Sequence, residues 1–382
     1  MGIAIISQSR THGDSQSQTA VNHISIAFEY SEKVCRPGSV HGVQAILLLI
    51  IYSLYDPHQF NSWSLMGIAA RVLVDLGLHQ DPPADRLLHG PSLELRRRIF
   101  RCVYSLDRLI SLAYLRPYSF TDESVSVQGP LEPEKAERGG RQPYLDSLKA
   151  SLRPFELRRL YSPVFHKLFH SGRTFLYNPW STVASYLSES QMIFSSLALN
   201  INDSLKSSLR IEMLFTNVVI LSPHQQSDLG CDYSDALIFQ YILEYAQIMV
   251  GMGEYRRRPT FFTYLEVLRT SFVAHRFLGL CERTCAVLAT QEKIDPPPGI
   301  SNDFLDQRTV LNSNISIFLK SIQCIRDLDE SLEGVCSRFH LLDYSLRFRS
   351  KSLPILQNLS NALSHSEQIS KPEIKSLDST GY

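Results

Sequence analysis

The sequence predicts an all-α fold, a multi-helix bundle, from three observations. Apolar residues recur at three- and four-residue spacing along most of the chain, which is the period of an amphipathic helix. No segment combines strand-like alternation with the turn chemistry of a hairpin. Hydrophobic residues make up 44% of the 382 residues and charged residues 20%, so the chain has enough apolar side chains to bury a substantial core.

The N-terminal part predicts a short lead-in followed by two helices. Residues 1–20 are interpreted as a flexible segment, because residues 7–19 are polar and nearly free of apolar side chains. Helices are predicted over Ile24–Val34 and Val40–Tyr55. The second of these is apolar almost all round, which is typical of a helix in the middle of a bundle.

The next two helices have recognisable ends. One is predicted over Ser62–Leu76, with Ser62 as its N-cap and Gly77 as the residue just beyond its C-terminus. The other is predicted over Leu93–Leu112, with Ser92 as its N-cap. Its apolar stripe consists of Leu95, Ile99, Cys102, Val103, Leu106, Ile110 and Ala113.

The rest of the chain predicts a loop and then a further series of helices. Residues 128–146 carry proline, glycine and alternating charge, which is typical of a loop. The later helices are predicted over residues 148–176 with a break near Pro154 or Pro163, 205–221, 235–250, 261–288 and 310–347. We therefore expect a main domain over residues 21–290, a C-terminal helical extension over 291–364 and a disordered tail over 365–382.

Charge and cysteine content limit the classes of protein to which the chain can belong. Lys+Arg and Asp+Glu both number 38, so there is no basic surplus of the kind that a protein binding DNA through its whole surface shows. The seven cysteines are scattered and odd in number, which favours a reducing, intracellular compartment. The longest apolar run, Val43–Tyr55, is too short to span a bilayer, so no membrane association is predicted.

The sequence contains none of the motifs that identify common enzyme sites. A nucleophile elbow, a phosphate-binding loop and a zinc-protease helix are all missing. Asn202 and Asp203 begin a motif that holds magnesium and a diphosphate in terpene synthases, but Lys206 and Arg210 stand where it needs a hydroxyl and an acid. No catalytic, cofactor-binding or metal-binding residue is predicted.

Two cysteines on one predicted helix allow two interpretations. Cys281 and Cys285 lie one turn apart, with His275 upstream, so they could hold half of a zinc site. The sequence has no second pair at ligand spacing, and buried cysteine is a common small core residue. A structural role is therefore favoured.

The fourth predicted helix carries an arginine run and an adjacent pair of opposite charges. Arg96, Arg97, Arg98 and Arg101 lie largely off the apolar stripe, and we expect at least one of the first three to reach a carboxylate in a neighbouring helix rather than a nucleic-acid phosphate. Asp107-Arg108 lies where the stripe is dense. This placement predicts a partly buried ion pair that fixes helix packing.

These residues together resemble the middle regulatory domain of fungal-specific zinc-cluster transcription factors. The resemblance is specific over residues 39–130 and looser to about residue 290. The residues that carry it are Trp63, Gly67, Arg71, Asp75, Gly77, His79, Arg97, Arg98, Phe100, Tyr104, Asp107, Arg108, Arg116 and Pro117.

The chain departs from the family pattern in three places. Arg101 stands where the family usually has tryptophan, so a charge replaces a packing aromatic ring. Leu115 stands where the family has glycine, which suggests that the turn before Arg116 has lost a permissive backbone position. Ahead of residue 102 the only cysteine is Cys35, too few for the family's six-cysteine zinc module, so zinc is expected only if such a module lies upstream.

The resemblance implies a nuclear regulator of transcription, not an enzyme, that controls metabolic or secondary-metabolite genes. It would respond to a small-molecule effector, or dock other regulators or a second copy of itself. DNA would be reached only indirectly or through a missing N-terminal module. Two alternatives stay open at this point: a truncated gene model of a full zinc-cluster activator, and an all-α enzyme or scaffold of a biosynthetic pathway.

Overall fold

The computed structural model describes most of the chain and is mainly helical in the parts it describes. Those parts are residues 14–34, 38–83, 90–128, 154–169, 179–197, 203–222, 231–254, 262–288, 293–298, 300, 302–306 and 314–369. Within these ranges the β-structure is confined to one isolated parallel bridge, between Gln80 and Ser126. The predicted all-α class is confirmed.

Twelve helices have defined bounds within the described residues. In chain order they are α1 (Asp14–Glu29), α2 (Ser31–Val34), α3 (Val40–Tyr55), α4 (Ser62–Asp75), α5 (Gly90–Tyr114), α6 (Tyr161–Phe169), α7 (Pro179–Leu197), α8 (Asp203–Leu221), α9 (Asp232–Glu254), α10 (Tyr264–Leu288), α11 (Asn314–Arg338) and α12 (Leu342–Ile369). A short helical stretch, residues 154–159, leads into α6. None of the described helices is long and apolar enough to cross a membrane.

The helices enclose two main hydrophobic cores. The smaller core lies between α3, α4 and α5, which pack on one another. The larger core lies among α6 to α12. In it α9 and α10 pack against α11, and α11 packs beside α12. Helix α10 joins the two, because it also contacts α3 and α5 and places Leu265 in the smaller core.

The ends of α3 and α4 show how well local sequence signals predict helix boundaries. Helix α3 has the predicted bounds, and Ser39 caps it by accepting a hydrogen bond from the backbone N–H of Gly42 at 3.2 Å. Helix α4 ends at Asp75, one residue earlier than predicted. Gly77 lies just beyond the end as predicted, and its φ of +62° is the left-handed conformation that glycine adopts freely. Its N-cap is Asn61 rather than Ser62, since the Asn61 side chain accepts from the backbone N–H of Ser64.

Three N-terminal expectations were wrong in detail. Helix α1 begins at Asp14, so residues 14–19 are helical rather than a flexible lead-in. Helix α5 begins at Gly90, which puts Ser92 inside the helix and not at its cap. Leu95 and Cys102, expected in the buried stripe of α5, are exposed.

The later part of the chain differs more from the sequence-based expectation. Helix α7 was missed, because its serine-rich sequence shows no clear apolar stripe. The helix expected over residues 310–347 is two helices, α11 and α12, joined through His340 at a φ of +55°. Helix α12 continues to Ile369, so residues 365–369 are helical rather than disordered. Most of the predicted loop 128–146 lies outside the described residues.

Candidate functional site

The centre of the family motif is a buried ion pair on α5. Asp107 and Arg108 are both fully buried, and Nη1 of Arg108 lies 2.6 Å from Oδ2 of Asp107. Asp107 also accepts hydrogen bonds from the backbone N–H of Ser119 at 3.2 Å and from its hydroxyl at 2.6 Å. The ion pair predicted from the sequence therefore exists, and it is wholly rather than partly buried.

The remaining N–H groups of Arg108 connect α5 to two other parts of the fold. Nη2 donates to Oδ1 of Asp122 at 2.8 Å and to the carbonyl oxygen of Phe120 at 3.0 Å. Nε donates to the hydroxyl oxygen of Ser162, on α6, at 2.7 Å. One guanidinium thus ties α5, the segment 118–124 and α6 together, which is the packing role that the sequence predicted for the pair.

Three aromatic rings surround the Arg108 guanidinium. Its central carbon lies 4.2 Å from the ring centre of Tyr104, 4.5 Å from that of Tyr118 and 4.9 Å from that of Phe120. Rings at this distance attract a cation through their quadrupole. We refer to Tyr104, Asp107, Arg108, Ser119, Asp122 and Ser162 as the Arg108 network.

Burial and neighbouring charges act in opposite directions in this network. Burial raises the pKa of Asp107, although Arg108 and Ser119 act to lower it. Burial acts to lower the pKa of Arg108, but Tyr104 and the two carboxylates outweigh that effect and raise it. The arginine is therefore a permanent cation, and removing a carboxylate beside it would leave a buried charge short of compensation.

The arginine run at the start of α5 binds the chain segment that follows α4. Arg97 donates from Nε to Asp81 at 3.1 Å and from Nη2 at 2.6 Å, and Arg96 donates to the carbonyl oxygen of Gly77 at 2.8 Å. Burial acts to raise the pKa of Asp81, but the hydrogen bonds from Arg97 and Gln128 outweigh it and lower the pKa. The expected carboxylate partner exists, but it lies in a connecting segment and not in a neighbouring helix.

Arg101 is buried at the position where the family has tryptophan. Its Nη2 donates to the carbonyl oxygen of Gln128 at 2.8 Å. Its Nη1 is buried and has no hydrogen-bond partner among the residues that the structure describes. Burial lowers the pKa of Arg101. The Arg101 guanidinium is thus buried at the position where the family pattern has tryptophan. Its burial carries a free-energy cost, because the charged group is removed from water.

Leu115 adopts a left-handed backbone conformation, which favours glycine. Its φ is +51°, in the left-handed region, and Arg116 N–H closes the turn by donating to the carbonyl oxygen of Ser111 at 2.8 Å. The turn therefore places a leucine in a backbone conformation that glycine adopts more freely, which is the loss that the sequence led us to expect. Arg116 then stacks on Trp63, with its guanidinium carbon 4.5 Å from the ring centre.

The remaining motif residues do not converge on one site. Phe100 packs against Tyr104 and Phe120 beside the Arg108 network. Arg71 and Asp75 are exposed on α4, as is Pro117 after α5. Gly67 has open space around the position of a Cβ atom, so nothing there demands glycine, and Arg98 is half-buried. The Nδ1 atom of His79 is buried, and no described residue forms a hydrogen bond with it.

A second buried charge network, which the sequence did not indicate, lies beside the first. Glu212 on α8 accepts from the hydroxyl of Tyr161 at 2.9 Å and from Nε of Arg158 at 2.8 Å, and Nη2 of Arg269 lies 4.0 Å away. Burial acts to raise the pKa of Glu212, but the two arginines outweigh it and lower the pKa. We refer to these four residues as the Glu212 network. Its members are up to 111 positions apart in the sequence (158 to 269), so no spacing motif could have revealed it.

Cys281 and Cys285 are buried on α10 in the larger core. The thiol of Cys285 lies 3.3 Å from the hydroxyl oxygen of Ser321, and Nδ1 of His275 lies 2.7 Å from the carbonyl oxygen of Ser271. Within the described part of the chain, no group of three or more histidine, cysteine or acidic side chains is placed to hold a metal ion. Their surroundings are those of core residues.

Comparison with known proteins matches the N-terminal part of the chain to a family model. Residues 4–174 match the profile of the family described as "Fungal specific transcription factor domain". This range ends just after α6, so it contains the whole Arg108 network but only Arg158 and Tyr161 of the Glu212 network. No solved structure matches the chain significantly.

The curated relatives are fungal regulatory proteins. Pyrimidine pathway regulatory protein 1 of Saccharomyces cerevisiae is 34% identical over 111 residues, covering 29% of this chain and 12% of the relative. A positive regulator of purine utilization from Emericella nidulans is 28% identical, covering 29% and 13%. The thiamine repressible genes regulatory protein thi1 of Schizosaccharomyces pombe is 27% identical, covering 48% and 24%.

The matched part of the chain thus spans between about an eighth and a quarter of the length of these relatives. The match includes the motif residues from Trp63 to Pro117 on which the resemblance was based. Over residues 4–174, the chain is similar to the fungal specific transcription factor domain family.

Proposed function

We propose that this protein regulates transcription in the nucleus and has no catalytic activity of its own. The observation that carries the proposal is the family domain over residues 4–174. The relatives are named for the control of pyrimidine, purine and thiamine genes, which supports a metabolic gene set as the target. The proposal also includes secondary-metabolite genes as targets of the regulator.

The use of the charged motif residues supports a regulatory rather than a catalytic role. Tyr104, Asp107 and Arg108 bond to one another, to neighbouring segments or to α6, and Arg97 bonds to Asp81. A catalytic group needs an open side that faces a substrate, whereas these groups face the interior. Buried, mutually satisfied charges instead fix one arrangement of helices, and a regulatory domain needs such an arrangement in order to transmit a signal.

Regulation requires contact with other molecules, and we propose three kinds. The domain docks other transcription regulators or a second copy of itself. It reaches DNA through such a partner or through a cysteine-rich zinc module on a longer form of the protein. A small-molecule effector adjusts these contacts by binding between helices, where bundles commonly form ligand sites.

The test is to tether the full chain to a heterologous DNA-binding domain in a fungal host. A reporter gene carrying the matching DNA site is measured with the fusion and with the DNA-binding domain alone. The proposal predicts a several-fold rise or fall in reporter transcript. An unchanged reporter, with the fusion shown to be intact and nuclear, would contradict it.

A further inference from the structure

A polar cleft opens between α9 and α11, and its lining includes no member of either buried network. Its volume is about 370 Å³, within the range of sites that hold small molecules. Gln240 and Glu244 line it from α9, Gln323, Cys324 and Asp327 line it from α11, and Asp306 lies on its rim. None of these residues belongs to the family motif or to the matched range 4–174.

Two of the polar groups on the α9 side are held in fixed positions. The side chain of Gln240 donates to the carbonyl oxygen of Phe304 at 3.1 Å and accepts from the backbone N–H of Asp306 at 2.8 Å. Glu244 receives two hydrogen bonds of 2.6 Å from the guanidinium of Arg210. A ligand would therefore meet an ordered wall, and little ordering entropy would be lost on binding.

On the opposite wall Asp327 carries a charge that has no ion-pair partner among the described residues. Its Oδ1 accepts a hydrogen bond of 2.7 Å from the amide of Gln323, and it is half-buried. Among the described residues no cationic group lies within ion-pair distance of Asp327, whereas Asp81, Asp107 and Glu212 each have an arginine partner. Within the part of the chain that the structure describes, Gln323 is the hydrogen-bond donor to this carboxylate, and it binds Oδ1.

The cleft as a whole is electronegative. Glu244 is paired with Arg210, so Asp306 and Asp327 stand against Lys320 and leave the lining with one net negative charge. Burial raises the pKa of Cys324 well above its usual range, and the charge of Asp327 adds to that effect, so the thiol stays neutral. The cleft therefore offers carboxylate and amide oxygen acceptors to a donor-rich, cationic guest.

We propose that the α9–α11 cleft binds a small, positively charged, nitrogen-rich molecule, such as an amine, amidine or guanidine, with its N–H groups directed at Asp327. This inference rests on the proposed function only in identifying the guest as the effector of a transcription regulator. The binding itself is a property of the folded chain and can be measured without any transcription assay.

The test uses three probes of nearly equal shape and different charge. Benzamidine is a cation, benzamide is neutral and benzoate is an anion, and each is titrated into the full-length chain by calorimetry. The proposal predicts saturable binding of benzamidine at millimolar concentration or tighter, and binding of benzamide and benzoate at least about tenfold weaker, or about 1.4 kcal/mol.

Two variants locate the binding. Asp327→Asn keeps the hydrogen bond from Gln323 but removes the charge, and should weaken benzamidine binding about tenfold or more. Glu330→Gln removes one negative charge from an exposed position on the same helix, outside the cleft, and should leave binding unchanged. Circular dichroism of both variants confirms that each is folded.

Three results would overturn the cleft proposal. They are a lack of saturable benzamidine binding by the wild-type chain, equal binding of benzoate, and equal binding by Asp327→Asn and Glu330→Gln. The reporter assay separates this failure from a failure of the proposed function. If the tethered chain changes the reporter but does not bind benzamidine, the regulatory role stands and the cleft proposal fails. If the chain binds benzamidine but leaves the reporter unchanged, the cleft proposal stands and the regulatory role fails.

Discussion

The hydroxyl oxygen of Ser162 lies 2.7 Å from Nε of Arg108, which it approaches from a different helix. The preceding residue, Tyr161, donates its own hydroxyl to Glu212 at 2.9 Å. Adjacent side chains of α6 therefore enter two separate buried charge networks, one on α5 and one on α8. Helix α6 thus joins the family motif to the C-terminal helices that contain the α9–α11 cleft.

The first prediction concerns the buried pair on α5. Asp107→Ala should lower the free energy of unfolding by about 3 kcal/mol, because it leaves the buried Arg108 charge with Asp122 as its remaining carboxylate. Asp75→Ala, at an exposed position on α4, is the control and should change it by less than about 0.5 kcal/mol. Urea unfolding measures both, and a loss below that limit for Asp107→Ala would contradict the role assigned to the pair.

The second prediction concerns the left-handed turn after α5. Leu115→Gly should raise the free energy of unfolding by about 0.5–1 kcal/mol, because glycine adopts a φ of +51° without the steric cost that a Cβ atom brings. Leu95→Gly, at an exposed position inside α5, should instead lower it by about 1 kcal/mol. Thermal or urea unfolding measures both changes in stability. A destabilised Leu115→Gly variant would contradict the prediction and show that the leucine side chain makes a compensating contact.

The third prediction concerns the contact between α6 and α8. Tyr161→Phe removes a hydroxyl that donates to the buried carboxylate of Glu212, so it should cost about 2 kcal/mol of stability. The exposed Tyr30→Phe is the matched control and should have little effect. Equal unfolding midpoints for the two variants would mean that Arg158 and Arg269 satisfy Glu212 without the tyrosine.

The fourth prediction is a loss of stability in acid. The pKa values of Asp81 and Glu212 are lowered in the folded chain, so each group binds fewer protons folded than unfolded. Their contribution is complete above the unfolded pKa values, near 4, and is lost as the pH falls through the lower, folded values. The raised pKa of Asp107 acts in the opposite sense.

Asp81→Asn isolates one of these contributions. It should flatten the fall in unfolding free energy below about pH 5, and Asp75→Asn controls for the loss of one charge at an exposed site. Urea unfolding at a series of pH values measures the slope. A slope for Asp81→Asn as steep as that of the wild-type chain would show that the Arg97–Asp81 pair does not contribute to the acid transition.

Local signals predicted the features that depend on neighbours in sequence. The apolar period predicted helices α3 and α4, and Gly77 predicted where α4 ends. The dense apolar stripe around Asp107-Arg108 predicted the buried ion pair. The features that depend on distant residues could not be predicted in this way. Arg97 meets Asp81 sixteen positions away across a turn, and Glu212 is brought to Arg158 and Arg269 only by the packing of α8.

Two further misses have specific physical causes. The serine-rich sequence of α7 lacks a strong apolar stripe, so tertiary packing of Trp180, Val183 and Leu187 in the larger core fixes a helix that its periodicity does not indicate. The α9–α11 cleft depends on how two helices sit beside each other, and its polar residues look like ordinary exposed side chains in sequence.

The measurement that tests the regulatory role most directly is a comparison of transcripts with and without the gene. Deletion of the gene followed by RNA sequencing should change the transcripts of a coherent set of metabolic genes in one direction. Reintroduction of the wild-type chain should restore them, and the destabilised Asp107→Ala chain should restore them less well. An unchanged transcript profile, under conditions where the protein is shown to be made, would contradict a role in transcription.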